Sequence, residues 1–317
     1  MPVASLFPES AFDRRRHPDA LVLSTWTAPD GWPHRAYRWP GAGATARGSL
    51  IFQSGRIDYI EKYLEACDHW HRDGWAVEGF DWRGQGGSGR LIAGHPADHR
   101  DSFDPLVDDL EAYVAEWRAR TPGPHVLVAH SMGGHVAFRL LAERGVVLDG
   151  LVLVAPMLRV DTGRIPLPLA RVLVGAALRL GRRRRAAWRE RRDDSRRQAR
   201  LTADRERFDD AQWWKDVMPE LAGGPPSWGW LAAAFAAGDL IERLPLERVR
   251  TPVLLLAAGE DGLVDGAMIA RVAARLPDAE LRVFPEAAHE LLREADDHRR
   301  AAMAAIDDFL ARKAPAR

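Results

Sequence analysis

The stretch VLVAHSMGGHVAF, from Val126 to Phe138, decides the fold. Its first residues are continuously apolar, as a strand buried on both faces must be. The small residues around Ser131 then compress the chain into a turn, and HVAFRLLAERG continues with helical spacing to Gly145. A strand, a tight turn bearing one serine, and a helix form the elbow that exposes a nucleophile at a sheet edge. The usual pattern there is Gly-x-Ser-x-Gly. Here Ala129 takes the first glycine's place, and Gly133 keeps the second. The alternative role for Ser131 is to cap the helix that follows.

The same grammar extends outward in both directions. LVLSTWTAPDGWPHRAYRWP reads as two strands around an Asp-Gly turn. SLIF, WAVEGF, GLVLV, VLLLAA and ELRVF read as further strands. IDYIEKYLEACDHWHRDG has helical spacing and stops at Gly74; FDPLVDDLEAYVAEWRAR and DDHRRAAMAAIDDFLARK are also helical. Short apolar strands alternating with helices predict an α/β fold, a mainly parallel sheet with helices on both faces. Ligands bind such sheets beyond the carboxyl ends of the strands. The alternation lapses between Met157 and Leu246, where no strand pattern occurs. We therefore expect a core of residues 1–156 and 247–317 interrupted by a helical insertion, 157–246.

The chain has 317 residues, 46% of them apolar, enough for a large core. Its 45 basic and 45 acidic residues balance, so the whole chain offers no field for nucleic acid. One cysteine, Cys67, excludes an internal disulfide and fits a reducing, cytoplasmic setting. MPVASLFPESAFDRRRHP has no apolar core of signal-peptide length, and no run reaches roughly 18 apolar residues. The insertion is uneven: between Arg171 and Arg200, 12 arginines face only Glu190, Asp193 and Asp194. Such a segment is either a solvated basic face or a patch for phosphate headgroups of an anionic membrane. Nucleic acid is not expected, because no recognition motif accompanies the charge.

A nucleophilic serine needs a base, an acid that orients the base, and donors for the oxyanion. On this fold the order is serine, acid, histidine. Of 11 histidines only His289 and His298 follow the last strands. His289 lies in the loop PEAAHE, whereas His298 lies at a polar helix start. The acid belongs after VLLLAA, where Glu260, Asp261 and Asp265 are candidates. Asp261, between Gly259 and Gly262, is favoured; Asp265 suits a helix cap. The expected triad is Ser131, His289 and Asp261. The backbone N–H of Met132 is the first expected oxyanion donor and that of Arg56 the second. His130 and His135 read as packing residues. No metal or other cofactor is called for, since neither a Cys pair nor a His-Glu-x-x-His spacing occurs.

HSMGG, the preceding DWRGQGGSGR and the late AAHELLRE together resemble the α/β-hydrolase group of monoacylglycerol lipases and bacterial lysophospholipases. GRIDYIEKY and AHSMGG, alanine included, resemble the bacterial lysophospholipase branch. The resemblance runs over most of the chain. It implies the α/β-hydrolase fold with an inserted helical lid, the same triad of Ser131, Asp261 and His289, and a small-molecule lipid ester as substrate. Many relatives carry His-Gly at the oxyanion loop, where this chain has Ser54-Gly55. Asp81 and Arg83 belong to the resemblance and read as braces for the loop. The apolar VLVGAALRL and the tryptophans Trp188, Trp213, Trp214, Trp228 and Trp230 either line an acyl channel or pack the insertion. Fold and triad alone leave open thioester, amide or peptide hydrolysis, or a silent hydrolase-fold binding protein.

Overall fold

The computed structural model describes residues 12–41, 46–92, 97–188 and 194–316. The N-terminal residues 1–11 and residues 189–193 of the Arg-rich run therefore lie outside the described residues.

Among the described residues eight strands form one sheet: β1 (Val22–Thr27), β2 (Pro33–Trp39), β3 (Gly48–Gln53), β4 (Trp75–Phe80), β5 (His125–His130), β6 (Gly150–Val154), β7 (Val253–Ala258) and β8 (Ala279–Phe284). Their spatial order is β1-β2-β4-β3-β5-β6-β7-β8. β2 pairs antiparallel with β1 and β4. All other pairs are parallel. The helices are α1 (Leu64–Arg72), α2 (Asp104–Arg120), α3 (Ser131–Arg144), α4 (Leu167–Arg179), α5 (Asp194–Leu201), α6 (Arg205–Val217), α7 (Trp228–Arg243), α8 (Gly266–Ala273) and α9 (Asp296–Lys313). This is the α/β-hydrolase architecture, and each strand expected from an apolar run is present.

Strand alternation divides the core in two. Ile51, Leu127, Ala129, Leu151, Leu153 and Leu255 face one layer, with α2, α3 and α8. Leu50, Phe52, Val126, Val128, Val152 and Leu254 face the other, with α1 and α9. Both faces are dry, which is why these strands read as unbroken apolar runs. The β1–β2 hairpin turns at Asp30-Gly31, where Gly31 adopts φ +87°. Gly74, at φ +90°, ends the first helix as expected.

The start of that helix differs from a regular amphipathic pattern. Ile60–Tyr63 form a 3-10 turn before α1 begins. The Ile60 N–H donates to Asp81 Oδ1 (3.1 Å), so a distant carboxylate fixes the first turn.

Between β6 and β7 the chain makes α4 to α7 and adds no strand to the sheet among the described residues. This segment lies against loops at the carboxyl edge of the sheet. The Asp98 N–H donates to Pro225 O, and the Ser227 N–H to Asp98 O. The Glu290 N–H donates to Leu201 O, and the Tyr59 hydroxyl donates to Ala211 O. No helix among the described residues is long and apolar enough to cross a membrane.

Candidate active site

Three loops at the carboxyl edge meet at Ser131. It opens α3 directly after β5 and holds φ +51°, a left-handed conformation that a residue with a Cβ rarely adopts. The turn explains the demand for small residues, and it falls unevenly on them. A Cβ on Gly133 would lie 2.4 Å from Ser54 O, and one on Gly134 2.9 Å from the Pro156 Cβ. Ala129 meets no such wall: its methyl group is buried in the core layer under α2 and α3. The tight position is the one after the serine, which is why alanine is accommodated before it.

His289, in the loop after β8, reaches Ser131 Oγ through Nε2 at 2.9 Å. Its Nδ1 lies 2.6 Å from Asp261 Oδ2, in the loop after β7. With the proton on Nδ1, the ring donates to Asp261 and accepts from the serine hydroxyl. Asp261 Oδ1 accepts the N–H groups of Leu263 (2.8 Å) and Val264 (3.1 Å). Burial works to raise the Asp261 pKa, but the His289 ring and these hydrogen bonds outweigh it and hold the carboxyl below its ordinary value. The neighbouring Asp265 caps α8 by accepting the Met268 N–H at 3.0 Å. His298 is half-buried on α9, away from this chain of hydrogen bonds.

His130 is a packing residue with a specific partner. Its ring lies 4.8 Å from that of His289, and its Nδ1 lies 3.1 Å from Val154 O, as a ring N–H donating there would. Burial, then the charge of His289, lowers its pKa to about 4, so it stays neutral beside the His289 ring. His135 is buried against Phe103, and burial lowers its pKa to about 3.

The loop after β3 runs beside the serine: a Cβ on Gly55 would lie 3.1 Å from the Ser131 Cβ. Sequence reading located this loop through Ser54-Gly55 but missed what holds it. Trp82 Nε1 donates to Ser54 O (2.7 Å). Gln85 Nε2 donates to Gly55 O (2.7 Å) and Asp58 O (3.2 Å), and its Oε1 accepts the Ile57 N–H (3.0 Å). Asp58 Oδ2 accepts the Gly55 N–H (3.1 Å). Both neighbours of the Arg56 N–H are thus fixed in place. Ile57 is itself held at φ +53°. The Arg56 side chain turns towards the insertion, donating to Gly224 O (3.1 Å) and lying over the Trp230 ring. Asp81 and Arg83 serve this loop from behind. Asp81 accepts the N–H groups of Ile60 and Gly87 and pairs with Arg35. Arg83 forks onto Asp109 and reaches Asp30.

A buried charge cluster flanks the site. Lys62 Nζ bridges Asp58 and Glu290, and Arg293 pairs with Glu290 on its other oxygen. Burial opposes ionisation of Glu290, but Lys62 and then Arg293 overcome it and hold the carboxyl well below its usual value. The tryptophans of the insertion divide between roles. Trp230 packs on Phe103 near the site, whereas Trp214 stacks on His17 and meets Trp213 edge-to-face. Trp188 is exposed.

Compared with known proteins, residues 44–296 match the family described as serine aminopeptidase, S33. The chain belongs to this family. It is an α/β-hydrolase, and its relatives lie in the lysophospholipase branch that its motifs resemble. It is 33% identical over 286 residues to lysophospholipase L2 of Escherichia coli K12, covering 83% of this chain and 80% of that one. It is 27% identical over 276 residues to the probable lysophospholipase L2 of Haemophilus influenzae, covering 84% and 85%. A soluble variant of monoglyceride lipase from Saccharomyces cerevisiae shares the fold with a TM-score of 0.75 at 16% identity, over 94% of this chain and 97% of its own. The monoacylglycerol lipase of Paleococcus ferrophilus does so with a TM-score of 0.67 at 19% identity, over 92% and 99%.

Proposed function

We propose that this family member is a serine hydrolase that cleaves carboxylic esters of lipids, a lysophospholipid or a monoacylglycerol, through an acyl-enzyme on Ser131. The observation that carries the reading is the unbroken hydrogen-bonded chain Asp261–His289–Ser131, ending on a serine in a left-handed turn. The 33% identity to a lysophospholipase supports the lipid substrate.

In this reading His289 Nε2 takes the hydroxyl proton as Ser131 Oγ attacks the ester carbonyl. Asp261 keeps the other proton on Nδ1 and stabilises the imidazolium. The N–H groups of Met132 and Arg56 receive the oxyanion, the first at the start of α3 and the second on the loop pressed against the serine. The tetrahedral adduct expels the alcohol, which takes the proton from Nε2. Water then attacks the acyl-serine, giving its proton to the same nitrogen; the adduct collapses, Ser131 Oγ takes that proton back, and the fatty acid leaves. Residues 157–246 act as the cap over this site, between core segments 1–156 and 247–317. Its support is the row of contacts from Leu201, Ala211 and Pro225 onto the site loops.

Release of fatty acid from lysophosphatidylcholine, monoolein and a short p-nitrophenyl ester tests the reading. Wild type is expected to cleave the lipid esters, and Ser131→Ala to cleave none. A folded wild-type protein that cleaves none of the three moves the assignment to amide, thioester or peptide bonds.

A further inference from the structure

The loop that carries Arg56 and the loop that carries His289 leave strands that are not neighbours. The first follows β3 and the second follows β8, with β5, β6 and β7 between them in the sheet. Ladder hydrogen bonds therefore do not set the separation of an N–H on one loop from the imidazole on the other. In the proposed reaction that separation matters, because both groups serve one carbonyl group.

One buried side chain spans the gap. Lys62 Nζ donates to Asp58 Oδ1 and to Glu290 Oε1. Asp58 stands two residues after Arg56, and Glu290 one residue after His289. The outer oxygens are occupied as well. Asp58 Oδ2 accepts the Gly55 N–H at 3.1 Å and the Tyr63 hydroxyl at 2.9 Å. Glu290 Oε2 accepts from Arg293, which also donates to Arg207 O on α6.

The bridge is desolvated: the side chains of Lys62, Asp58 and Glu290 are 10%, 7% and 2% exposed. Burial opposes ionisation of both carboxyls. Lys62, helped at Glu290 by Arg293, outweighs it and holds both below their ordinary values, so the ammonium sits between two carboxylates. A buried ion pair adds little net stability over well-packed apolar side chains. Folding alone gives no reason for this one, whereas holding two loops at one separation does.

We propose that Lys62 is a positioning residue for the reaction at Ser131. Its bridge from Asp58 to Glu290 fixes the loop after β3 against the loop after β8, so that the Arg56 N–H and His289 Nε2 reach one carbonyl group. The inference rests on the serine-hydrolase reading of Ser131, but not on the choice of acyl bond.

Steady-state hydrolysis of the p-nitrophenyl ester and the rate of fluorophosphonate labelling of Ser131 test it, in Lys62→Met, Asp58→Asn and Glu290→Gln. Asp58→Asn keeps an acceptor for the Gly55 N–H and Glu290→Gln one for Arg293, so each cuts one arm of the bridge and spares the rest. Each variant is expected to lower kcat and the labelling rate about tenfold or more, with KM within about threefold of wild type. A trifluoromethyl ketone, whose serine adduct carries the oxyanion, should bind about tenfold less tightly. Cutting either arm separates the loops. The double variant should therefore lose no more than about threefold beyond the worse single one. Lys62→Arg, which keeps the charge, should recover most of what Lys62→Met loses. If Lys62→Met does not fold, the two carboxyl variants decide.

Losses that multiply in the double variant, a change confined to KM, or wild-type rates in folded Asp58→Asn and Glu290→Gln would overturn the proposal. A wild type that is labelled on Ser131 but cleaves no ester would count against the ester substrate alone, because the labelling rates still read the bridge. A wild type neither labelled nor active would remove both.

Discussion

Ser131 is held in a backbone conformation costing on the order of 1–3 kcal/mol, and its surroundings enforce it. Gly133 is pinned against Ser54 O, and the Met157 N–H donates to the serine's own carbonyl at 2.9 Å. Ala129, the departure from the usual elbow, plays no part in that constraint. Ala129→Gly is therefore expected to leave ester turnover within about twofold while costing about 1 kcal/mol in denaturant unfolding, through lost packing and added chain freedom. A large gain in turnover would show that the methyl group strains the elbow. Asp261 is the complementary case. In Asp261→Asn the side-chain oxygen can still accept from Leu263 and Val264, but the amide facing His289 favours the wrong tautomer. The expected loss in kcat is about 10²–10⁴-fold with KM little changed, read by steady-state kinetics. The order serine, acid, histidine was legible from residue types because each follows a recognisable strand. The contact of His130 with His289 was not, since a histidine next to the serine gives no sign of where its ring packs.

At the scale of elements, strands and most helices could be read from the chain. Runs such as LVLV and VLLLAA are apolar on both faces and bounded by Gly or Pro, and the β1–β2 turn has its Asp-Gly signal. The 3-10 start before α1 could not be read, because it depends on Asp81, 21 residues away. The loop after β3 depends on distant groups in the same way. Ser54 O, Gly55 O and the Ile57 N–H are held by Trp82 and Gln85 from the loop after β4. Gln85→Glu keeps an acceptor for Ile57 but cannot donate to Gly55 O or Asp58 O. It is expected to lower kcat about tenfold or more, with a smaller change in KM, because loop placement matters most when the oxyanion forms. An unchanged kcat would mean the loop is positioned without Gln85.

For the whole molecule, buried polar groups join the insertion to the helices and loops that cover the sheet. Arg207 on α6 forks onto Glu65 and reaches Asp296, and Thr202 donates to Arg293 O (2.8 Å). Lys62 and Glu290 pair across 228 positions, a contact with no local trace in sequence. The buried histidines set an acid limit. His130 and His135 have an ordinary value of 6.5 and are lowered to about 4 and about 3. Between these values the unfolded chain binds more protons, so both withdraw stability as pH falls from about 6.5 and cost nothing above it, together several kcal/mol by order of magnitude. The denaturant midpoint should be lower at pH 5 than at pH 7, and NMR titration should find the His130 ring neutral at pH 5. A His130 midpoint near 6.5 would contradict this. The central claim is that Ser131 is the nucleophile of a triad, and covalent trapping tests it most directly. Treated with a fluorophosphonate and read by intact mass and peptide mapping, wild type is expected to gain one adduct, on Ser131, while Ser131→Ala gains none and His289→Ala reacts far more slowly. An adduct on another residue, or no adduct on a folded protein, would contradict the account.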